Sequence, residues 1–232
     1  MHEQIKQRLI EAGLILGLAD LGDFTRGHVS IRDPGDPSRF FMKPHSLGFE
    51  EITPENIVVC DLEGQKIGGG GRRHSEVFIH SEIYRARPDL GSVIHTHPKY
   101  ATIWCSGERP WRIVSQACVL FADGLGYYHD TVNLIRSPQT GRAVAEALGH
   151  HKVVMMRGHG VTVTGVSVEE AVIRTLTLEN ACHDQVLCLA MGGDIVEFEE
   201  SDIASLAANL DNREQYVVNF DYLARKAKRR VL

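Results

Sequence analysis

The sequence predicts an α/β fold, formed as a single domain over residues 1–232. Residues 3–18 carry apolar side chains at three- and four-residue intervals, which is the spacing of an amphipathic helix. Short runs rich in β-branched residues, such as 93–96, and the apolar run 153–156 indicate buried strands. A chain of 232 residues can bury one sizeable core, and its hydrophobic fraction of 43% is ordinary for a globular protein.

The first half of the chain predicts one helix followed by a small antiparallel β layer. The helix covers residues 3–18. Residues 24–32 start as a loop and pass into a strand, and further β segments cover 40–43, 57–60 and 65–67. Turn residues separate these segments at 33–37 and at 61–64. We expect the four glycines 68–71 to form a flexible connection, because they lack the Lys-Ser or Lys-Thr pair of a phosphate-binding loop.

The second half alternates helices and strands. Helices are predicted over 75–87, 99–105, 137–149, 167–191 and 211–228, and strands over 93–98, 153–156 and 161–163. Ser137 and Pro138 form a strong helix start, and Ser167 with Glu170 matches a capping box. Residues 122–129 are expected to be an irregular, glycine-rich loop of the kind that lines sites.

Composition excludes several classes of function. The net charge of −5 offers no broad surface for nucleic acid, and the basic run 225–230 is interpreted as a solvated helix end. The chain contains no apolar run approaching 18 residues and no signal-peptide pattern, so we expect a soluble, cytoplasmic protein without a membrane partner. The five cysteines form no Cys-x-x-Cys pair and are expected to be reduced, without a catalytic role.

His95 and His97 are the first candidate metal ligands. They lie two residues apart in a predicted strand, where side chains alternate, so both imidazoles leave the same face. Pro98 ends the strand, which puts the pair at a strand end where an open coordination position can meet a substrate. Two histidines that simply hydrogen-bond to backbone are the alternative that His-x-His alone leaves open.

Three further residues complete the candidate site. His159 lies between two glycines and two strands, so its imidazole can approach a ligand closely, and it is predicted as the third metal ligand. Glu76, at the start of a helix, either compensates the helix dipole or faces the metal. His80 is interpreted as a packed histidine or as a partner that orients a ligand.

Four ordered motifs carry a resemblance to a known family. They are His74-Ser75-Glu76; Ile79-His80-x-x-Ile83-Tyr84-x-x-Arg87-Pro88-Asp89; Ser92-Val93-Ile94-His95-Thr96-His97; and Gly158-His159-Gly160 with the long helix after Ser167. Over residues 5–200 the chain resembles the class II aldolase/adducin family. The resemblance implies an α/β/α sandwich around a mostly antiparallel sheet, commonly a homotetramer with sites near subunit interfaces. It also implies a divalent metal on His95, His97 and His159, with Glu76 as the nearby acid or base.

The departures from the family pattern concern the substrate. Sugar-phosphate members bind phosphate with a Gly-Asn-x-Ser loop, a Thr-Gly pair and a Ser-Ser pair. The matching positions here read Gly27-His28-Val29-Ser30, His45-Ser46 and His74-Ser75, with Arg26, Lys43 and Arg73 nearby. Imidazoles and cations favour flat carboxylates over a phosphomonoester. The pattern is similar to the decarboxylase branch, which acts on 3,4-dihydroxyphthalate or 3-hydroxy-2-methylpyridine-4,5-dicarboxylate.

This resemblance implies a role for each candidate residue. A ring hydroxyl and its adjacent carboxylate would chelate a Mn²⁺ or Zn²⁺ ion, and Glu76, His28 or His74 would protonate the ring carbon. Residues Arg73, Lys43 and His45, with Ser46 and Ser75 beside them, would bind the anionic substrate. Two alternatives stay open: an aldolase or epimerase acting on a sugar phosphate or hydroxy-keto acid, and a non-catalytic adducin-like module.

Overall fold

One eight-stranded sheet forms the centre of the protein. A computed structural model describes residues 2–107 and 109–231. The strands are β1 (His28–Arg32), β2 (Arg39–Met42), β3 (Val58–Asp61), β4 (Lys66–Gly69), β5 (Ser92–Thr96), β6 (Gly126–Tyr128), β7 (Val153–Met156) and β8 (Gly160–Gly165). Their order is β4-β3-β2-β1-β5-β8-β7-β6. The β6–β7 pair is parallel and the other neighbouring pairs are antiparallel.

Eight helices flank this sheet in the described part of the chain. They are α1 (His2–Leu18), α2 (Val77–Ala86), α3 (Lys99–Cys105), α4 (Gln116–Val119), α5 (Pro138–Leu148), α6 (Val168–Met191), α7 (Glu200–Leu210) and α8 (Arg213–Val231), with a 3-10 turn at Phe49–Glu51. None of the helices in the described ranges is long and apolar enough to cross a membrane.

Alternation along the strands divides the core between two helical layers. Ile94 faces a cluster that includes side chains of α1, α6 and α8. The preceding residue, Val93, faces a cluster with side chains of α2 and α5. Consecutive strand residues point to opposite faces, so one strand supplies both layers. The predicted α/β/α sandwich around a mostly antiparallel sheet is therefore confirmed.

Local signals account for two of the helix starts. The Ser137 hydroxyl accepts the backbone N–H of Thr140, and Pro138 occupies the first turn of α5. At α6 the Ser167 hydroxyl accepts the N–H of Glu170. The Glu170 carboxylate accepts the N–H of Val166 instead of that of Ser167, so the predicted capping box is only half formed.

Two expectations were wrong, and one helix was missed. Gly68 and Gly69 belong to β4, because pairing with Val59 and Val58 satisfies their backbone although glycine has low strand propensity. Residues 126–128, predicted as irregular loop, form β6 because they pair with β7. Helix α7 was not predicted, although Ile203, Leu206, Ala207 and Leu210 pack on the core at helical spacing.

Candidate active site

The imidazoles of His95 and His97 lie side by side at the end of β5. His95 pairs with Thr162 of β8 in the sheet, and the Thr162 hydroxyl lies 3.0 Å from His95 Nδ1. That contact engages Nδ1, so His95 presents Nε2 to the pocket, 3.1 Å from Nε2 of His97. The structure therefore brings together the pair that the sequence singled out.

A turn between β7 and β8 supplies the third imidazole. The backbone N–H of His159 donates to the carbonyl of Met156 over 3.0 Å, which fixes the turn. Gly160 lets this turn approach β5, because a Cβ there would lie 2.5 Å from Cδ2 of His97. As a result the His159 ring lies 5.0 Å from the His95 ring and 5.4 Å from the His97 ring, centroid to centroid.

These three imidazoles fit a divalent cation. One ring nitrogen from each of His95, His97 and His159 lies within 4.8 Å of the others. Neither nitrogen of His159 has a hydrogen-bond partner within the described part of the chain. Tetrahedral zinc with Zn–N bonds of about 2.0–2.1 Å places two ligand nitrogens about 3.3 Å apart, near the 3.1 Å between His95 and His97.

Electrostatics favours the form of these rings that binds metal. Burial, with the neighbouring imidazoles, lowers the pKa of His95 well below its ordinary value. Burial also lowers the pKa of His97 and of His159, although Asp23 and Glu76 respectively oppose the shift. A histidine binds a metal ion as the neutral imidazole. The lowered pKa values keep all three rings neutral at pH 7, which favours cation binding.

Asp23 is a site residue that sequence reasoning missed. Its Oδ2 lies 3.2 Å from His97 Nδ1 and accepts an N–H of Arg26 over 3.0 Å. Asp23 and Phe24 have positive φ values of 43° and 61°, so the loop before β1 adopts a strained conformation beside the pocket. No local motif predicts this contact, because it joins two segments that are distant in sequence.

Glu179 holds the chain just after His97. Its two carboxylate oxygens accept the backbone N–H groups of Tyr100 and Ala101 over 3.0 and 2.9 Å, in the first turn of α3. Because α3 follows His97 and Pro98 directly, α6 anchors the end of the strand that presents the imidazoles.

Glu76 lies between His159 and His28. Its Oε1 accepts the N–H of Ile135 over 2.8 Å and is 3.5 Å from His159 Nε2, and its Oε2 is 3.9 Å from His28 Nε2. Burial raises the pKa of this carboxyl, although the Ile135 N–H and the neighbouring His159 and Arg136 oppose the rise. Glu76 is the residue that precedes α2, and it is only 3% exposed. A buried carboxyl with a raised pKa can hold and deliver a proton.

Further histidines extend the site away from the three imidazoles. His28 pairs with His95 across the sheet, and its ring centroid is 4.0 Å from that of His74. The Nδ1 atom of His74 accepts the N–H of Glu76, and burial lowers the pKa of His74 to about 2. His80 contacts His28 and belongs to neither group of candidate metal ligands in the described residues.

Comparison with known families agrees with this fold. Residues 7–186 match the family model described as "Class II Aldolase and Adducin N-terminal domain". The chain belongs to this family.

Decarboxylases are among the proteins that are similar to this chain in sequence. Over 219 residues it is 29% identical to 3,4-dihydroxyphthalate decarboxylase from Arthrobacter keyseri, covering 88% of this chain and 87% of the relative. It is 31% identical over 173 residues to decarboxylase NovR from Streptomyces niveus, covering 73% and 64%. Three of the curated relatives are longer proteins, of which this chain spans 62% to 64%.

A sugar-phosphate aldolase has a similar structure. L-fuculose 1-phosphate aldolase from Glaciozyma antarctica superposes with a TM-score of 0.85 at 26% identity, covering 97% of this chain and 89% of that one. Proteins named for both reaction types that the sequence left open are therefore similar to this chain.

Two cations predicted to bind substrate have contacts within the protein. Lys43 is fully buried, and its Nζ donates to the carbonyls of Thr25 and Pro44 over 3.1 and 3.2 Å. Burial lowers the pKa of Lys43 to about 8. The Arg73 guanidinium lies 5.7 Å from the Phe78 ring centroid. Their predicted contact with substrate stays a prediction.

The remaining polar candidates lie on the side of His74. The His45 ring is 4.9 Å from the His74 ring and receives a hydrogen bond from Arg72, a residue that sequence reasoning did not select. Ser46 is exposed with a φ of 67°, and Ser75 is half-buried. The positive charge of Arg136, also not selected, opposes the rise in the pKa of Glu76 and contributes to the lowered pKa of His45. This side of the site is therefore basic.

Proposed function

We propose that this protein is a metal-dependent decarboxylase of a hydroxylated aromatic dicarboxylate, of the 3,4-dihydroxyphthalate or 3-hydroxy-2-methylpyridine-4,5-dicarboxylate type. One observation carries the proposal: the rings of His28, His74 and His45 line the site beside the three converging imidazoles. Flat rings with N–H groups, close to the cations of Arg72 and Arg136, suit a planar substrate with carboxylates. The decarboxylase relatives support the same reaction class.

The metal site of this proposal consists of His95, His97 and His159, holding Zn²⁺ or Mn²⁺. A bound divalent ion supplies Lewis-acid chemistry to a ring hydroxyl and its neighbouring carboxylate. Asp23 and Thr162 orient His97 and His95 respectively, so that each presents Nε2.

Glu76 is the proton donor of the proposed reaction. When the bond between the ring carbon and the carboxylate breaks, its electron pair stays on the ring carbon and carbon dioxide leaves. The proton of the Glu76 carboxyl then forms the new carbon–hydrogen bond, and water returns a proton to the carboxylate. The buried position of Glu76, which raises its pKa, supports this role.

A substrate screen tests the proposal. The purified protein, loaded with Zn²⁺ or Mn²⁺, should release carbon dioxide from 3,4-dihydroxyphthalate, and phthalate, which lacks the ring hydroxyls, should not turn over. The His97→Ala variant is the matched inactive control. Turnover of phthalate at a similar rate would contradict chelation through the hydroxyl.

A thermal-shift measurement distinguishes the aldolase alternative, which the structural similarity to L-fuculose 1-phosphate aldolase favours. Dihydroxyacetone phosphate would then raise the thermal midpoint, because a ligand that binds only the folded state stabilises it. We expect no such rise and a clear rise with aromatic dicarboxylates.

The proposal includes a homo-oligomer, of four chains as the resemblance implies. Large apolar side chains are exposed along the end of α6, after it and on α8, which supports burial between subunits: Leu187, Met191, Val196, Val218 and Tyr222. Light scattering on the purified protein should give the mass of four chains. The mass of one chain would contradict this part.

A further inference from the structure

A chain of four hydrogen-bonded side chains runs from the pocket into the core. His28 Nδ1 lies 2.6 Å from His80 Nε2, and His80 Nδ1 lies 2.7 Å from the Ser30 hydroxyl. The Ser30 hydroxyl lies 2.8 Å from the Tyr84 hydroxyl. All four side chains are buried, with at most 1% exposed. At the pocket end, His28 Nε2 is buried and has no hydrogen-bond partner among the described residues.

Counting protons limits the arrangements of this chain. Each neutral imidazole carries one ring proton, and each hydroxyl carries one, so four protons serve three hydrogen bonds. One proton therefore points out of the chain. It lies on His28 Nε2 if every bond is donated from the Tyr84 side, and elsewhere if a bond is reversed.

At the buried end, Tyr84 determines which of the two hydroxyl groups donates the hydrogen bond. A buried phenol O–H needs an acceptor, and in the described residues the hydrogen bond of this hydroxyl is made to Ser30. The guanidinium carbon of Arg32 lies 4.6 Å from the Tyr84 ring centroid, and a positive charge there favours donation by the phenol over acceptance. Tyr84 therefore donates to Ser30.

The hydrogen bond that Ser30 donates determines the tautomers of His80 and His28. Its hydroxyl proton can go to His80 Nδ1 at 2.7 Å or to the carbonyl of Val93 at 3.5 Å. The second distance exceeds the normal range of an O–H···O bond, so Ser30 donates to His80. His80 then carries its proton on Nε2 and donates to His28 Nδ1. The proton of neutral His28 is left on Nε2, facing the pocket.

We propose that the Tyr84–Ser30–His80 chain locks His28 in the Nε2–H tautomer, so that His28 is a hydrogen-bond donor to an anionic oxygen of the substrate. A protonated Nε2 cannot ligate a metal, so His28 is excluded from the ligand set although it lies near Glu76 and His95. A neutral imidazole is also a poor acid, which leaves proton delivery to Glu76. Only the identity of the anion, an aromatic carboxylate, rests on the proposed function.

The tautomers of the two histidines test this inference directly. In the Zn²⁺-loaded protein labelled with [¹⁵N]histidine, nitrogen-15 NMR should show His28 and His80 protonated on Nε2 and unprotonated on Nδ1. A proton on Nδ1 of His28 would overturn the proposal, because His80 would then carry its own proton on Nδ1 and donate to Ser30. This measurement needs no substrate.

A pair of serine variants tests the positioning role of the chain. Ser30→Ala removes the donor to His80 Nδ1, so a population of His28 protonated on Nδ1 should appear. Ser92→Ala is the matched control. Ser92 is equally buried, and its hydroxyl donates to the backbone carbonyl of Ser30, so it is not one of the four hydrogen-bonded side chains. It should leave both tautomers unchanged. Unchanged tautomers in Ser30→Ala would show that the chain does not set them.

Two variants of His28 test the donor role. His28→Gln can keep an N–H near the position of Nε2, whereas His28→Leu cannot. Loss of one hydrogen bond to a charged group corresponds to about tenfold or more in affinity. Calorimetry with 3,4-dihydroxyphthalate, in proteins that also carry Glu76→Gln to suppress turnover, should therefore show that loss in His28→Leu and a much smaller change in His28→Gln, at equal metal content. Equal losses would overturn the donor role. If 3,4-dihydroxyphthalate fails to bind the metal-loaded Glu76→Gln protein, the proposed function is contradicted, and the NMR measurement still decides the inference.

Discussion

The Oδ2 atom of Asp23 lies 3.2 Å from Nδ1 of His97, and the other ring nitrogen of His97 faces His95. The contact is electrostatic, since His97 Nδ1 has no hydrogen-bond partner among the described residues, and a carboxylate beside this nitrogen raises the basicity of the ring as a ligand. The contact comes from a loop with positive φ values at Asp23 and Phe24, so the fold maintains a strained segment where the candidate metal site needs a partner.

Replacing Asp23 by Asn should weaken metal binding. An amide oxygen is a poorer acceptor than a carboxylate, and loss of such a partner typically costs about 10- to 100-fold in metal affinity. Competition for Zn²⁺ against a chromogenic chelator measures the change. Asp20→Asn is the control, because Asp20 is exposed and also has a positive φ, of 57°. Equal affinities of the two variants would show that Asp23 does not support the site.

Replacing a predicted ligand should remove the metal. His97→Ala and His159→Ala each leave two of the three imidazoles, so both variants should purify with little bound Zn²⁺ or Mn²⁺ and without activity. Elemental analysis measures the ion content. His150→Ala, at an exposed histidine, should keep one ion per chain. Full metal content in either pocket variant would mean that the ligand set is wrong.

Glu76→Gln separates proton donation from metal binding. The amide can still accept the N–H of Ile135, so the fold and the ion should be retained. Without an ionisable proton the turnover number should fall by about 100-fold or more, since general acid catalysis contributes about that much. Steady-state kinetics combined with elemental analysis measures both. Loss of the ion together with activity would instead identify Glu76 as a ligand.

The metal-free protein should be acid-labile. Burial lowers the pKa of His80 to about 3 and that of His28 and His95 below the ordinary 6.5. Below pH 6.5 the unfolded chain therefore binds more protons than the folded one, so the free energy of unfolding falls as the pH drops. Each such group contributes up to about 1.4 kcal/mol per pH unit in this range.

Urea unfolding of the metal-free protein at pH 7, 6 and 5 measures this dependence. We expect the midpoint to fall steadily over the series, and His80→Gln, which lacks one of the buried imidazoles, to show a shallower dependence. Exposed His150→Ala should follow the unaltered protein. A midpoint that stays constant from pH 7 to 5 would contradict the lowered pKa values.

Much of the fold could be predicted because its signals are local. The start of α5 depends on Ser137 and Pro138, and the orientation of His95 and His97 depends on the two-residue period of a strand. The signal for α7 was also present, in the spacing of Ile203, Leu206 and Leu210. Strand β6 had no such signal, because its three residues are extended only through pairing with β7.

The sequence by itself determined which imidazoles could converge, since the residue types and their spacing in strands and turns are local properties. The tertiary structure decided what surrounds them: Asp23 beside His97, Glu179 on α3, and His80 on His28. Each of these contacts joins segments that lie far apart in sequence, and each depends on the order in which the strands pair. The strand order cannot be read from residue patterns within one segment. It is stabilised in the folded protein because it buries both faces of the sheet under helices.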